Sequence, residues 1–156
     1  MKIYFAFVIS LLLFCPGEMT EWPTHTLCNT GNFQAFYKSC DPLQDFGVDL
    51  SLCSPIAQDM KLRFGVLLRH NIKELFLAIT AYFNGQLFLN YDYTICESSA
   101  PRFSFCGRKK GEFIQIDHPI IPHIPVIPKG EFNVSLELHN EDKKFIGCAT
   151  LMVNSV

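Results

Sequence analysis

The chain has no C-x-x-C pair, no H-E-x-x-H, no G-x-S-x-G and no glycine-rich phosphate loop. These absences argue against zinc and dithiol chemistry, zinc peptidases, elbow-type serine hydrolases and nucleotide hydrolases. Excess charge of either sign is missing as well: 13 basic against 15 acidic residues leave a net charge of -2, so no nucleic-acid footprint is visible. Tryptophan is nearly absent. The one Trp, Trp22, precedes Cys28, Cys40, Cys53, Cys96, Cys106 and Cys148. An immunoglobulin domain needs a Trp between its bridged cysteines and a Tyr two residues before the second. Lys38, Thr94, Ser104 and Ile146 stand two before Cys40, Cys96, Cys106 and Cys148, so that signature fails. The five histidines are scattered; His118 and His123 have finger-like spacing with no cysteine pair before them, so no metal is expected. Asp49, Glu74 and Glu137 fall on outward strand positions, where carboxylates are solvated. With no nucleophile or acid–base pair, the chain reads as a non-enzyme without a cofactor.

Long apolar runs are confined to the N-terminus. Met1-Lys2 precedes a mostly apolar stretch from Ile3 to Phe14, followed by Cys15-Pro16-Gly17. This is the pattern of a secretory signal peptide over residues 1–17, too short to span a bilayer. Residues 18–156 then form one secreted, extracellular domain. The six cysteines that remain predict three disulfides, with 15 possible connectivities; Cys96 and Cys106 are the simplest local pair.

The body of the chain alternates with a period of two. In Met60 to Arg69 the apolar set is Met60, Leu62, Phe64, Val66 and Leu68, and the basic set is Lys61, Arg63 and Arg69. Only the first face can be buried, and it requires an opposing apolar surface. Phe33 to Cys40, Phe46 to Leu52, Gln86 to Ile95, Phe113 to His118, Phe132 to His139 and Phe145 to Val153 read as further strands, with Phe46, Val48, Leu50 and Leu52 inward in the second. Glu18 to Leu27 reads as an extended lead-in. Ile72 to Phe83 fits either a helical stripe or a strand, and Asn84-Gly85 after it is a hairpin turn signal. Pro119 to Pro128 carries four prolines among aliphatic residues, which excludes a central strand and suits a rim. Eight or nine such strands predict an all-β sandwich. Asn133-Val134-Ser135 is the one glycosylation sequon, on an outward position. Arg102, Arg108, Lys109 and Lys110 form a basic turn suited to an acidic partner or a lipid headgroup.

Four stretches carry a family resemblance: Trp22-Pro23-Thr24-His25, Ser39-Cys40-Asp41-Pro42-Leu43-Gln44-Asp45-Phe46-Gly47, Ile72-Lys73-Glu74-Leu75-Phe76-Leu77, and Phe103-Ser104-Phe105-Cys106-Gly107-Arg108-Lys109-Lys110-Gly111-Glu112. They resemble the ML, or lipid-recognition, domains over essentially the whole mature chain. The resemblance implies an immunoglobulin-like two-sheet sandwich with a deep apolar cavity for acyl chains, and a strand for Ile72 to Phe83. It implies the pairs Cys28–Cys53, Cys40–Cys148 and Cys96–Cys106. As partners it implies a phospholipid or endotoxin-like lipid and a leucine-rich-repeat receptor ectodomain, the radioprotective Toll-like-receptor homologue of B cells. The protein would then be held at the cell surface through that receptor and modulate innate immune signalling.

The cavity lining expected on this basis is Val48, Leu50, Leu62, Phe64, Val66, Leu77 and Ile79 from the first half. Phe105, Ile114, Ile116, Ile120, Ile124 and Ile127 follow, then Phe132, Val134, Leu136 and Leu151. Arg102, Arg108, Lys109 and Lys129 are the expected receptor or headgroup contacts. The family's endotoxin co-receptor carries aromatic and basic residues along the segment matching Ile116 to Lys129, which here is rich in Pro and Ile with Lys129 its only Lys or Arg, so a lipid with fewer charges fits better. Alternation alone does not distinguish a cavity from a closed core. A closed-core interaction module without lipid is the alternative.

Overall fold

The computed structural model describes residues 21–53, 61–100, 102–119 and 126–156. The signal peptide expected over residues 1–17 lies outside them. Among the described residues all regular structure is strand: β1 (His25–Asn29), β2 (Phe33–Ser39), β3 (Gly47–Leu50), β4 (Lys61–Leu67), β5 (Leu75–Phe83), β6 (Gln86–Cys96), β7 (Phe113–Pro119), β8 (Gly130–Asn140) and β9 (Phe145–Ser155). One sheet has the order β1-β2-β9-β8-β5-β6 and the other β3-β4-β7, and every pairing is antiparallel.

Alternation explains which face each strand buries. On β2, Phe33, Ala35 and Tyr37 are buried and point at the second sheet. On β4, Leu62, Phe64 and Val66 point inward while Lys61, Arg63 and Leu67 are exposed. The stretch after Ile72 is strand from Leu75 onward because Asn84 (φ 46°) and Gly85 (φ 79°) turn it back onto β6. Both residues sit at positive φ, as a two-residue hairpin turn requires. The lead-in differs from expectation, since His25–Asn29 pairs with β2 as a strand. So does Leu52: β3 ends at Leu50, and the Leu52 side chain stands in solvent.

A polar clasp fixes the turn between β2 and β3. Asp41 is buried, and its carboxylate accepts from Arg69 Nη2 and from the Leu43 backbone N–H. Arg69 Nε donates to Gln44 Oε1 at 2.8 Å, and Gln44 Nε2 donates to the Leu67 carbonyl at 2.9 Å. Trp22 Nε1 donates to the Asp41 carbonyl at 2.7 Å. Beside it, the Tyr37 hydroxyl donates to the Phe46 carbonyl and accepts from the Val48 N–H. Burial pushes the Tyr37 phenol above its ordinary pKa. Disulfides join Cys28 to Cys53, Cys40 to Cys148 and Cys96 to Cys106.

Candidate functional site

Two buried clusters hold the sheets together, with Leu27 packed against both. The larger contains Val66, Leu68, Ile72, Leu75, Phe105, Ile114, Ile146 and Ala149. It packs the end of the sandwich where the loop after β6 closes over β4 and β5, through Gly107 N–H to the Ile72 carbonyl and Gly111 N–H to the Leu68 carbonyl. The smaller contains Cys28, Phe33 and Ala35, with Leu50, Ile127 and Val153 packed against it. It lies on the side where β1 approaches β3.

Beyond these clusters the facing surfaces include apolar residues that are not fully buried. Leu62 on β4, Leu77 and Ile79 on β5, and Phe132, Val134 and Leu136 on β8 all face the opposite sheet by alternation and register. All six are only partly buried, and none packs against either cluster among the described residues. A sandwich core of meshed layers would bury such residues completely. Phe64, Ile116, Val48 and Leu151 are also partly buried, and each leans on the larger cluster at one side. These partly buried aliphatic faces are the candidate walls of a lipid-binding hollow, with the larger cluster as its floor and the β6 edge as its mouth. There Leu89, Tyr91 and Tyr93 pair with Ala81, Ile79 and Leu77 and share their inward face, yet are 40%, 53% and 39% exposed.

The expected lining divides accordingly. Val48, Leu50, Leu62, Phe64, Leu77, Ile79, Ile116, Phe132, Val134, Leu136 and Leu151 have the partial burial of a wall. Three residues do not: Val66, Phe105 and Ile114 are 2%, 8% and 3% exposed inside the larger cluster and form its floor. Val66 and Ile114 are cross-strand partners at the packed end, and Phe105 is held there by its ring stack on Phe103, centroids 5.2 Å apart. Ile127 belongs to the smaller cluster. Ile120 and Ile124 lie outside the described residues. Leu138 and the β6 trio were missed, although both continue a period-two pattern that could have found them.

The four basic residues do not converge. Arg108 and Lys109 sit on the loop over the packed end, where Glu112 accepts from the Arg108 guanidinium at 3.0 Å and from the Lys109 backbone N–H. Those two contacts hold the Glu112 carboxyl below its ordinary pKa, the backbone one contributing most. Arg102 is near Glu97 on the same side. Lys129 is at the far end of β5, next to Gly130. Leu75 to Phe83 separates the two ends by roughly 27 Å at about 3.4 Å per residue. Among the described residues no group of His, Cys, Asp or Glu could hold a metal ion, and no helix is long and apolar enough to cross a membrane.

No protein-family model matches the chain. It is 45% identical over 140 residues to mouse lymphocyte antigen 86, covering 89% of this chain and 86% of that one. It is 44% identical over 138 residues to human lymphocyte antigen 86, with coverages of 88% and 85%. Among solved structures, chicken MD-1 complexed with lipid IVa matches with a TM-score of 0.79 at 38% identity, covering 86% of this chain and 99% of that chain. Identity of this order across nearly the full length, on a shared two-sheet sandwich, makes the chain a member of the lymphocyte antigen 86 family.

Proposed function

We propose that this chain is a secreted, non-enzymatic lipid carrier that acts as the accessory subunit of a leucine-rich-repeat receptor, the radioprotective Toll-like-receptor homologue of B cells. Residues 1–17 direct secretion and are removed. The lipid's tails lie between the sheets against Leu62, Leu77, Ile79, Phe132, Val134 and Leu136. The observation that carries this reading is the partial exposure of those six inward-facing apolar side chains. The chicken relative complexed with lipid IVa supports it.

These six side chains carry no polar group to orient a ligand, so affinity comes from burial, at about 0.8 kcal/mol per methylene. Ten methylenes contribute roughly 8 kcal/mol before association costs, near micromolar affinity, and a second chain strengthens this further. Selection acts on chain number and length more than on the headgroup. Lys129 is the one cation of the expected four beyond the packed end, which favours a phospholipid over a multiply phosphorylated endotoxin. Arg102, Arg108 and Lys109 gather at the packed end and serve as receptor contacts, where the protein joins innate immune signalling at the cell surface.

Native mass spectrometry of the secreted protein tests the reading. Ligand-sized mass that disappears on delipidation is expected. A folded protein that never carries such mass, and takes up no phospholipid, would establish the closed-core interaction module instead.

A further inference from the structure

The outer face of the large sheet carries one cross-strand row unlike its neighbours. Register aligns Leu87 on β6, Tyr82 on β5, Asn133 on β8, Met152 on β9 and Phe36 on β2, with Thr26 of the edge strand β1 at its end. From β6 to β2 every member is apolar or aromatic except Asn133, at the centre of that run. The row on one side reads Asn90, Thr80, Ser135, Thr150 and Lys38, and the one on the other includes Glu131, Asn154 and Gln34; both are polar. Leu87 and Tyr82 are 60% and 42% exposed, while Met152 and Phe36 are half-buried.

Asn133 is also the acceptor position of the sequon Asn133-Val134-Ser135. Its side chain projects from the outer face, opposite to Phe132 and Val134, and Nδ2 donates to Glu131 Oε1 at 3.1 Å in an exposed position. Directly opposed residues of a sheet have Cβ atoms about 5 Å apart. Asn133 therefore stands between Tyr82 and Met152, so a first sugar there would sit beside the Tyr82 ring.

We propose that Asn133 carries an N-linked glycan whose inner sugars lie along this row and cover it. The glycan converts an apolar stripe, otherwise a site of association between chains, into a solvated face. It leaves the opening along β6 free, because Leu89, Tyr91 and Tyr93 point to the other side of the sheet. This inference rests on the secretion reading above, since N-glycans are added only to chains entering the secretory pathway.

The full chain expressed in cultured animal cells tests it. A mass decrease of one N-glycan on glycosidase treatment of the secreted protein is expected, absent in both Asn133→Gln and Ser135→Ala. Secreted wild-type protein at its bare-chain mass would overturn the glycan alone. Chain retained in the cell at unprocessed bare mass would overturn the secretion reading and the glycan with it. The covering role has its own readout. Enzymatic deglycosylation of the folded protein should lengthen its retention on a hydrophobic-interaction column, and Tyr82→Ser should shrink that increase. Unchanged retention after complete deglycosylation would overturn the covering role.

Discussion

Asp41 carries the largest electrostatic liability of any single residue described above. It is 2% exposed, and Arg69 supplies the opposing charge. Removing one partner of a buried ion pair strands the other, which costs several times what the pair contributes. Arg69→Met should destabilise the protein by about 3 kcal/mol, the low end for such pairs because Arg69 is partly exposed. A urea titration reads this as a lower midpoint with an unchanged slope. Asp41→Asn combined with Arg69→Met should recover part of the loss. The pair was not legible in the sequence. Arg69 reads there as one more cation on the wet face of a strand, and its partner lies 28 residues away in what reads only as a turn. Alternation assigns a face; it does not identify a neighbour brought in by a loop.

At the scale of the strand, identical residues on identical faces have different fates. Leu75 and Leu136 are both inward-facing in the large sheet, yet Leu75 is fully buried in a cluster and Leu136 borders the hollow. Leu75→Ala leaves a cavity and should cost about 2–5 kcal/mol. Leu136→Ala removes a side chain that already faces open space, so on lipid-free protein it should cost under about 1.5 kcal/mol. Leu136→Ala should nevertheless weaken binding of a fluorescent fatty acid, which Leu75→Ala would do only by unfolding the chain. Equal losses from the two would mean that the hollow is packed. The strands themselves were largely legible, including β4, β8 and β9, because a period of two fixes the face. What a strand faces was not, since a wall and a core demand the same residues. β5 was ambiguous in period, and the Asn84-Gly85 turn decides it. β1 escaped because its sequence, HTLCN, has too few apolar positions to show alternation.

Taken whole, the described residues form two sheets held by two packed clusters, and the proposed hollow links stability to occupancy. Lipid that binds the folded state alone adds about 2.7 kcal/mol at a hundredfold excess over its dissociation constant. For a domain of this size each kcal/mol is worth about 2–4 °C. Delipidated protein given a two-chain phospholipid should therefore melt roughly 5–11 °C higher in calorimetry. A single-chain fatty acid at equal concentration should do less. An unchanged melting temperature with every lipid class would refute carriage. The resemblance to lipid-recognition domains anticipated the sandwich, but the opening along β6 follows from sheet order, which spacing along the chain does not encode.

The floor made by Val66, Leu75, Phe105 and Ile114 is fully packed. A rigid stop at one end of a slot works as a gauge. Tails up to the slot's length slide in until they touch it, and longer ones must double back or leave their ends in water. The mixture of lipids recovered from cells should then be cut off sharply on the long side and trail away gently on the short side. Shaving the stop should move that cut-off while leaving headgroup composition as it was.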